Sequence, residues 1–422
     1  MITLRDYQEE ISNEGAAKLK AHGIIYLNME VRTGKTLTAL SIGSKGNYKR
    51  VLFITKKKAI YSIENDYKAL SPDYKIEVVN FESIHKVEIN PDLLIIDEAH
   101  KIGGYPKPAK AAKAIKEKYS HLPIILMSGT PSPESYSQLF HQFWVSQRSP
   151  FGTQTFYKWA KAYVDIKQRH FAHGIVNDYS NAKKHLILPM LDKYFLRYTQ
   201  KQAGFKTEIK ETILEVDMLG YTKPILAQLK KHQIVIGKND TILADTPVKM
   251  LSKVHQISSG TCIGESGEVI KLDHSKAVFI HNHFKGKKLA IFYKFKGELD
   301  LLKDVFRDSL TEDVQEFENT YRHIALQIVS GREGISLKAA DCLVYFNIDF
   351  SAVSYWQSRD RLTTKERMSN EVFWIFGKGG IEHDIYKTVI EKKDYTLNHF
   401  RRGERLSKEN NQSTRERRVV CD

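Results

Sequence analysis

The feature that most constrains the fold of this 422-residue chain is a regular alternation of short apolar runs with amphipathic stretches. In residues 1–140 each apolar run is Leu-rich or β-branched and nearly continuous, which is typical of parallel strands buried on both faces. Strand–helix alternation of this kind predicts a doubly wound α/β domain. We predict strands at residues 23–27, 50–54, 76–79, 93–96 and 124–127, with helices at residues 36–44, 59–68 and 108–118.

The same pattern returns in the second half, so we predict a second α/β domain. Its predicted strands are residues 288–295, 323–329, 342–346 and 372–376, with a helix at residues 298–307. Residues 207–218 alternate and are predicted to form a strand leading out of the first domain. We expect a first domain at 1–205, which contains a helical insertion at about 145–195. A linker with accessory helices and a hairpin follows at 206–274. The second domain is expected at 275–400, and a basic, mobile tail at 401–422.

Composition gives a first indication of the partner. Lys and Arg together number 65 against 50 Asp and Glu, a formal net charge of +15, and such an excess attracts polyanions. No apolar run approaches the roughly 18 to 20 residues needed to cross a bilayer, and charges stand near residue 1 where a signal peptide needs an apolar stretch. We expect a soluble, cytoplasmic protein. The cysteines Cys262, Cys342 and Cys421 form no C-x-x-C pair, so no structural metal is expected.

A phosphate-binding loop is predicted at Thr33-Gly34-Lys35-Thr36, which follows a strand and opens a helix. Backbone N–H groups at a helix N-terminus bind anionic oxygens. Lys35 would contact the β- and γ-phosphates, and the Thr36 hydroxyl would ligate Mg²⁺. The match to the common loop is incomplete, because Met29 replaces its first glycine and Arg32 stands where many such loops have glycine.

A pair of carboxylates strengthens that prediction. Asp97-Glu98-Ala99-His100 directly follows the apolar run at residues 93–96. A carboxylate at such a strand end can hold the Mg²⁺ shell, and the next can polarise the attacking water. Together the two motifs predict an ATPase with ATP and Mg²⁺ as cofactors.

With these residues in place, the chain resembles the superfamily 2 helicases and translocases, which contain two RecA-like domains. Leu4-Arg5-Asp6-Tyr7-Gln8 resembles the L-R-x-Y-Q motif that recognises adenine, so the resemblance implies roles for Arg5 and Gln8 in ATP binding. Residues 29–36 resemble motif I, with Arg32 to Thr36 at the nucleotide, and Asp97 to His100 resemble motif II. Ser128-Gly129-Thr130-Pro131 resembles motif III, which implies that Ser128, Gly129 and Thr130, together with His100, couple hydrolysis to domain movement.

The second half narrows the resemblance to the Snf2-like group. Residues 330–337 resemble motif V, which implies nucleotide contact by Gly334 and nucleic-acid contact by Ser330 and Arg332. Residues 355–361 resemble motif VI, which implies catalytic roles for Gln357 and Arg361. The second motif VI arginine is replaced by Thr364, so either Arg361 acts alone or Arg359, Lys365 or Arg367 substitutes. The large insertions of chromatin remodellers are absent, which is typical of compact bacteriophage and bacterial members.

Nucleic acid in such proteins lies across both domains and is held mainly through its phosphates. Lys56, Lys57 and Lys58 follow the strand at 50–54, where motif Ia is expected, and are predicted to contact DNA phosphates. Lys183, Lys184, Lys294 and Lys296 are weaker candidates, and the basic tail is either an arm on nucleic acid or a solvated end.

These motifs predict an ATP-dependent DNA helicase or translocase. We expect it to act on duplex or branched DNA in phage or bacterial replication, recombination or repair. We expect a monomer in the cytoplasm, which is the host cytoplasm for a phage protein, with replication or recombination proteins as further partners. A DEAH-type RNA helicase, the motor subunit of a restriction-type complex and a binding protein with a decayed site are the alternatives.

Overall fold

The computed structural model describes residues 2–171, 174–204, 208–238, 240–331, 337–351, 354, 355, 358 and 369–391. The chain divides into two compact units, Met1–Phe205 and Lys206–Asp422. None of the helices in the described part of the chain has the length and apolar character needed to span a bilayer.

The first unit is built on a six-stranded, fully parallel sheet. Its first five strands are those predicted, with small shifts of their ends. The strands of the unit are β1 Ile24–Met29, β2 Arg50–Thr55, β3 Lys75–Asn80, β4 Leu93–Ile96, β5 Ile124–Met127, β6 Lys167–Phe171, β7 Gly174–Asp178 and β8 Phe195–Tyr198. The order in the sheet is β3-β2-β4-β5-β1-β8, and β6 and β7 form a separate antiparallel hairpin.

Helices cover both faces of this sheet. They are α1 Asp6–His22, α2 Lys35–Lys45, α3 Ile60–Leu70, α4 Lys110–Tyr119, α5 Gln138–Trp144, α6 Phe156–Tyr163 and α7 Lys184–Leu191. Alternate residues of each strand enter two different apolar cores; Tyr26 and Leu94 face one, and Leu27 and Ile95 face the other. This two-sided burial explains why the strands are continuously apolar in sequence.

The segment at 145–195 is only partly helical, which corrects the predicted helical insertion. It contains α6 and α7, but residues 167–178 form the β6–β7 hairpin. Phe156 and Trp159 of α6 are 3% and 0% exposed and pack in the same apolar core as Tyr26 and Leu94.

The second unit repeats the architecture with a second six-stranded parallel sheet in the order β15-β16-β14-β17-β18-β9. Two small antiparallel hairpins, β10–β11 and β12–β13, stand apart from that sheet. The strands are β9 Glu208–Val216, β10 Ile234–Ile236, β11 Thr241–Leu243, β12 Thr261–Ile263, β13 Val269–Lys271, β14 Leu289–Tyr293, β15 Leu310–Thr311, β16 His323–Gln327, β17 Cys342–Tyr345 and β18 Ser369–Gly377.

The helices of the second unit are α8 Thr222–His232, α9 Pro247–Ser258, α10 Ser275–His283, α11 Lys296–Phe306, α12 Val314–Asn319, α13 Ile328–Gly331 and α14 Glu382–Ile390. The position of the strand predicted at residues 207–218 differs from the expected one. The strand predicted to lead out of the first domain is β9, and it forms an edge of the second sheet by pairing with β18 from Glu208 to Val216. The predicted fold class, two doubly wound parallel-sheet domains, is confirmed, and the accessory helices and hairpins lie between β9 and α10 in the chain.

Candidate nucleotide site

Three of the predicted motifs meet at one edge of the first sheet. In the order β4-β5-β1, the strand before Asp97, the strand before Ser128 and the strand before the phosphate loop are direct neighbours. All three are parallel, so their carboxyl ends lie at the same edge. Ligands of open α/β sheets bind outside the carboxyl ends of the strands. The fold therefore brings together residues that are about 30 to 95 positions apart in the sequence.

The phosphate loop has the backbone of an anion-binding turn. Arg32 and Gly34 adopt left-handed φ angles of 64° and 81°, and Gly34 is the N-cap of α2. The φ of Gly34 favours glycine, and a Cβ there would lie 2.1 Å from Gln8 Nε2, so the Gln8 side chain would have to move. The first N–H groups of a helix have no partner within their own helix, and such groups commonly bind phosphate oxygens.

Lys35 lies at the centre of this edge. Its ammonium donates to the Met29 carbonyl at 2.8 Å and is also 3.4 Å from the Glu30 carbonyl. A Cβ placed on Gly129 would be 3.7 Å from Lys35 Nζ, so the loop after β5 passes beside the lysine. Thr36 follows in the first turn of α2 and is partly exposed.

The surroundings of Asp97 disfavour the charged form of its carboxyl group. Desolvation and the neighbouring Glu98 charge raise the pKa of Asp97 to about 6, although a hydrogen bond from Thr55 and the Lys35 charge act in the opposite direction. Thr55 Oγ1 donates to Asp97 Oδ2 at 2.9 Å from the end of the adjacent strand β2. A carboxylate held in this way is suited to a cation ligand, since a bound cation would remove the cost of its charge.

Glu98 begins a chain of polar contacts that joins motif II to motif III. Its backbone is left-handed, with φ 49° and ψ 47°. Glu98 Oε2 lies 3.2 Å from His100 Nδ1, which in turn lies 3.0 Å from Ser128 Oγ. The Thr130 backbone N–H donates to the same Ser128 oxygen at 3.1 Å. The four residues predicted to couple hydrolysis to movement are therefore neighbours of one another or of Lys35.

The motif predicted to recognise adenine contacts the phosphate loop. Gln8 is 3% exposed; its amide oxygen accepts from the Arg5 N–H at 2.9 Å and its amide nitrogen donates to the Gly34 carbonyl at 3.2 Å. Tyr7 Oη donates to the Thr33 carbonyl at 3.0 Å. Both ends of the Gln8 amide bond the protein backbone, and the amide has one further N–H and one further oxygen lone pair with which it could pair with an adenine edge.

Comparison with known proteins agrees with this geometry. Residues 1–89, which contain the Gln8 motif and the phosphate loop, match the family model described as type III restriction enzyme, res subunit. The match ends before Asp97 and includes no residue of the second unit. The search of curated proteins found no match.

Two solved structures are similar to this chain over most of their length. One is the Sulfolobus solfataricus SWI2/SNF2 ATPase core in complex with dsDNA, at 17% identity and a TM-score of 0.41, covering 92% of this chain and 91% of that chain. The other is the SWI2/SNF2 ATPase core domain of the same organism, at 17% identity and a TM-score of 0.42, covering 93% and 89%.

The residues predicted to contact nucleic acid differ in their surroundings. Lys57 and Lys58 are exposed in a short 3₁₀ turn after β2, whereas Lys56 is half-buried. Lys294 is held in an ion pair with Asp349 at 2.8 Å, and Lys183 pairs with Asp165 at 3.3 Å. Lys57 and Lys58 are thus better placed for a partner's phosphates than the paired lysines.

Most of the predicted site residues of the second unit lie outside the described residues. Ser330 belongs to α13. The predicted site residues outside the described ranges are Arg332, Gly334, Gln357 and Arg361, with the possible substitutes Arg359, Lys365 and Arg367. Thr364 and the tail at 401–422 also lie outside those ranges.

Sequence reasoning missed two polar residues at the nucleotide site. Thr55 ends a buried apolar strand next to the strand of Asp97, and a polar residue at such a strand end is the signal that would have indicated it. Gln200 bonds the phosphate loop from a distance of 169 positions in the chain, with its amide nitrogen 2.9 Å from the Val31 carbonyl. No local sequence pattern indicates that contact.

Proposed function

We propose that this protein is a Snf2-like ATPase and translocase of the compact phage or bacterial type, which couples ATP hydrolysis to movement on duplex or branched DNA. The observation that carries the proposal is the chain of contacts from Glu98 through His100 to Ser128 and Thr130 beside Lys35. It provides a physical path from the reacting phosphate to a loop that is not needed for phosphate binding itself. Such a path is expected of a motor and has no use in a simple nucleotide-binding protein.

The nucleotide would lie with its phosphates at the N-terminus of α2. Lys35 would exchange its bond to the Met29 carbonyl for the β- and γ-phosphate oxygens, and backbone N–H groups of residues 32–36 would hold the rest. Thr36 and Asp97 would hold Mg²⁺, and the raised pKa of Asp97 fits a carboxylate that awaits a cation. When bound, Mg²⁺ supplies charge neutralisation to the departing phosphate.

Glu98 would orient the attacking water and accept its proton. Its left-handed backbone turns the chain sharply just after Asp97, so two successive carboxylates serve different partners. Once phosphate leaves, Glu98 is released to His100, and the change passes to Ser128 Oγ and the Thr130 N–H. A change of hydrogen-bond partner in a loop that has two arrangements is the kind of local event that shifts a conformational equilibrium.

DNA is the proposed polyanion because of charge and position. The net charge of +15 favours a polyanion, and Lys57 and Lys58 are exposed after β2, the neighbour of the motif II strand. Contacts of this kind position a strand without reading its sequence. Replication, recombination or repair proteins would be the further partners, and the ATPase itself would act as a monomer.

A second candidate is the motor subunit of a restriction-type complex. It is favoured by one observation, the match of residues 1–89 to the type III restriction enzyme family. The restriction-type hypothesis requires a nuclease or methylase partner, whereas the translocase hypothesis does not. ATP turnover on DNA by the isolated chain therefore favours the translocase hypothesis.

The test is steady-state ATP hydrolysis with no nucleic acid, single-stranded DNA, duplex DNA, forked DNA and RNA. We expect strong stimulation by duplex or forked DNA, and at least a hundredfold loss of turnover (an order-of-magnitude figure) in Lys35→Ala and Glu98→Gln with DNA binding retained. Lys45→Ala, at the other end of α2, is the matched control and should hydrolyse ATP normally. Stimulation by RNA alone would replace the DNA reading, and normal turnover in Lys35→Ala would refute the site.

A further inference from the structure

The segment that leaves the first unit is bonded directly to the phosphate loop. After β8, Gln200 Nε2 donates to the Val31 carbonyl at 2.9 Å, and the Gln200 backbone N–H donates to Glu30 Oε2 at 2.7 Å. The Glu30 N–H donates in turn to the Tyr198 carbonyl at 2.9 Å. Three hydrogen bonds thus join residues 198–200 to residues 30 and 31.

The bond to Val31 controls the direction of one backbone N–H. In a trans peptide the C=O and the following N–H point in opposite directions. Gln200 binds the oxygen of the peptide between Val31 and Arg32, so the N–H of Arg32 is fixed on the side away from Gln200. Arg32 also adopts a left-handed φ of 64°, a conformation that residues with a side chain rarely hold without outside support.

We propose that Gln200 is a positioning residue of the nucleotide site. It holds the Val31–Arg32 peptide in the orientation that presents the Arg32 N–H to a nucleotide phosphate, and it ties the chain leaving the first unit to that loop. This inference rests on the proposed function, because it requires that residues 32–36 bind the phosphates. It differs from a role in general stability, since it predicts a defect in nucleotide affinity that depends on a hydrogen-bond donor at position 200.

The same turn offers a matched control. Gln202 is also a glutamine, but its amide oxygen accepts from the Thr199 N–H at 2.8 Å and from Thr199 Oγ1 at 2.9 Å, within its own turn. Gln202→Ala therefore disturbs the exit segment without removing a bond to the phosphate loop. Gln200→Lys retains a donor that can approach the Val31 carbonyl, whereas Gln200→Glu places an acceptor against it.

The experiment measures the Kd of a fluorescent ATP analogue, the KM and kcat for ATP, and the melting temperature, on the full chain. We expect Gln200→Ala to weaken analogue binding and raise KM by about three- to tenfold, as the loss of one hydrogen bond predicts, with a smaller change in kcat. Gln200→Glu should be weaker still, and Gln200→Lys and Gln202→Ala should remain within about twofold of the wild type.

Equal affinities for Gln200→Ala and Gln202→Ala would overturn the inference. So would an equal loss in Gln200→Ala and Gln200→Lys accompanied by a lower melting temperature, because that result indicates a structural role alone. A wild-type chain that binds no ATP analogue would instead refute the proposed function, and the inference with it, before any variant is compared.

Discussion

Two aspartates that follow central strands of the two sheets have opposite electrostatic environments. Asp97 follows β4 in the first sheet, and Asp349 comes shortly after β17 in the second; both strands are central. Desolvation and Glu98 raise the pKa of Asp97 to about 6. Burial alone would also raise the pKa of Asp349, but the Lys294 ammonium at 2.8 Å and a hydrogen bond from Ser354 hold it below its usual value.

Other buried polar groups of the two units show the same difference in how their charges are compensated. In the second unit the buried polar groups bond each other: Lys276 pairs with Glu382 at 2.7 Å with both side chains 0% exposed, and Asn347 lies between Glu298 and His255. Burial and the Lys294 charge lower the pKa of His255 well below its usual value, so this ring is neutral at pH 7. In the first unit two carboxylates lie together instead. Buried charges that pair with each other indicate a structural role, whereas two neighbouring carboxylates indicate a site for a cation.

Truncating one lysine in each unit should separate the two units most clearly. Lys276→Ala would leave Glu382 buried without its cation, and we expect the free energy of unfolding of the second unit to fall by about 3–5 kcal/mol. Lys35→Ala removes an ammonium bonded to the Met29 carbonyl and should cost at most about 1 kcal/mol while abolishing turnover. Urea denaturation followed by circular dichroism, with ATPase assays on the same samples, measures both effects.

The double variant Lys276→Met with Glu382→Leu is the control, because removing both charges leaves no unpaired ion. Its stability should return towards that of the wild type. If Lys276→Ala cost no more than Lys35→Ala, the buried pair would not be a structural element, and the contrast between the two edges would be wrong.

The second prediction uses pH to separate the two aspartates. The folded pKa of Asp97, about 6, lies above its unfolded value near 3.8, so the folded chain binds more protons between these pH values. The Asp97 charge therefore reduces stability at pH 7.5, and this cost disappears as the pH falls through 6 towards 4. Asp349 has the opposite shift: it contributes stability above pH 4 that is lost only at lower pH.

Melting curves from pH 7.5 to pH 5 check this prediction in the variants Asp97→Asn and Asp349→Asn. Asp97→Asn should be more stable than the wild type at pH 7.5, by up to about 3 kcal/mol, with the difference shrinking towards pH 5. Asp349→Asn should be less stable by a nearly constant amount over the same range. Parallel behaviour of the two variants would show that their environments do not differ as described.

The sequence predicted most of the framework, and the reason is local. Strands buried on both faces must be continuously apolar, so Leu93–Ile96 and Ile124–Met127 are recognisable without any knowledge of the rest of the chain. The residues at their carboxyl ends follow directly, because a parallel sheet puts these ends at one edge. Lys35, Asp97 and Glu98 were predicted on this basis, Ser128 was predicted from the resemblance to motif III, and all four lie at that edge.

What the sequence did not indicate depends on contacts between distant segments. Gln200 reaches Val31 because β8 pairs with β1, and β9 joins the second sheet because its partner β18 lies more than 150 residues later. A glutamine in a turn and an alternating strand have the same local appearance wherever they pack. The pairing of Lys294 with Asp349 is of the same kind, since a lysine after a strand gives no sign of whether its charge is used internally.

Substitution of the exposed lysines Lys57 and Lys58 should change DNA binding only weakly. Lys57→Ala and Lys58→Ala should each weaken binding to duplex DNA only a few-fold at moderate salt, because each removes one phosphate contact among several. The informative quantity is the slope of log affinity against log salt concentration, which should decrease by about one for each lysine and be the same for different DNA sequences. Lys303→Ala is the control, since Lys303 is exposed on the second unit but paired with Glu312. If the slope changed as much in Lys303→Ala as in Lys57→Ala, the binding would reflect net charge alone, and position at the strand end would carry no information about the DNA path.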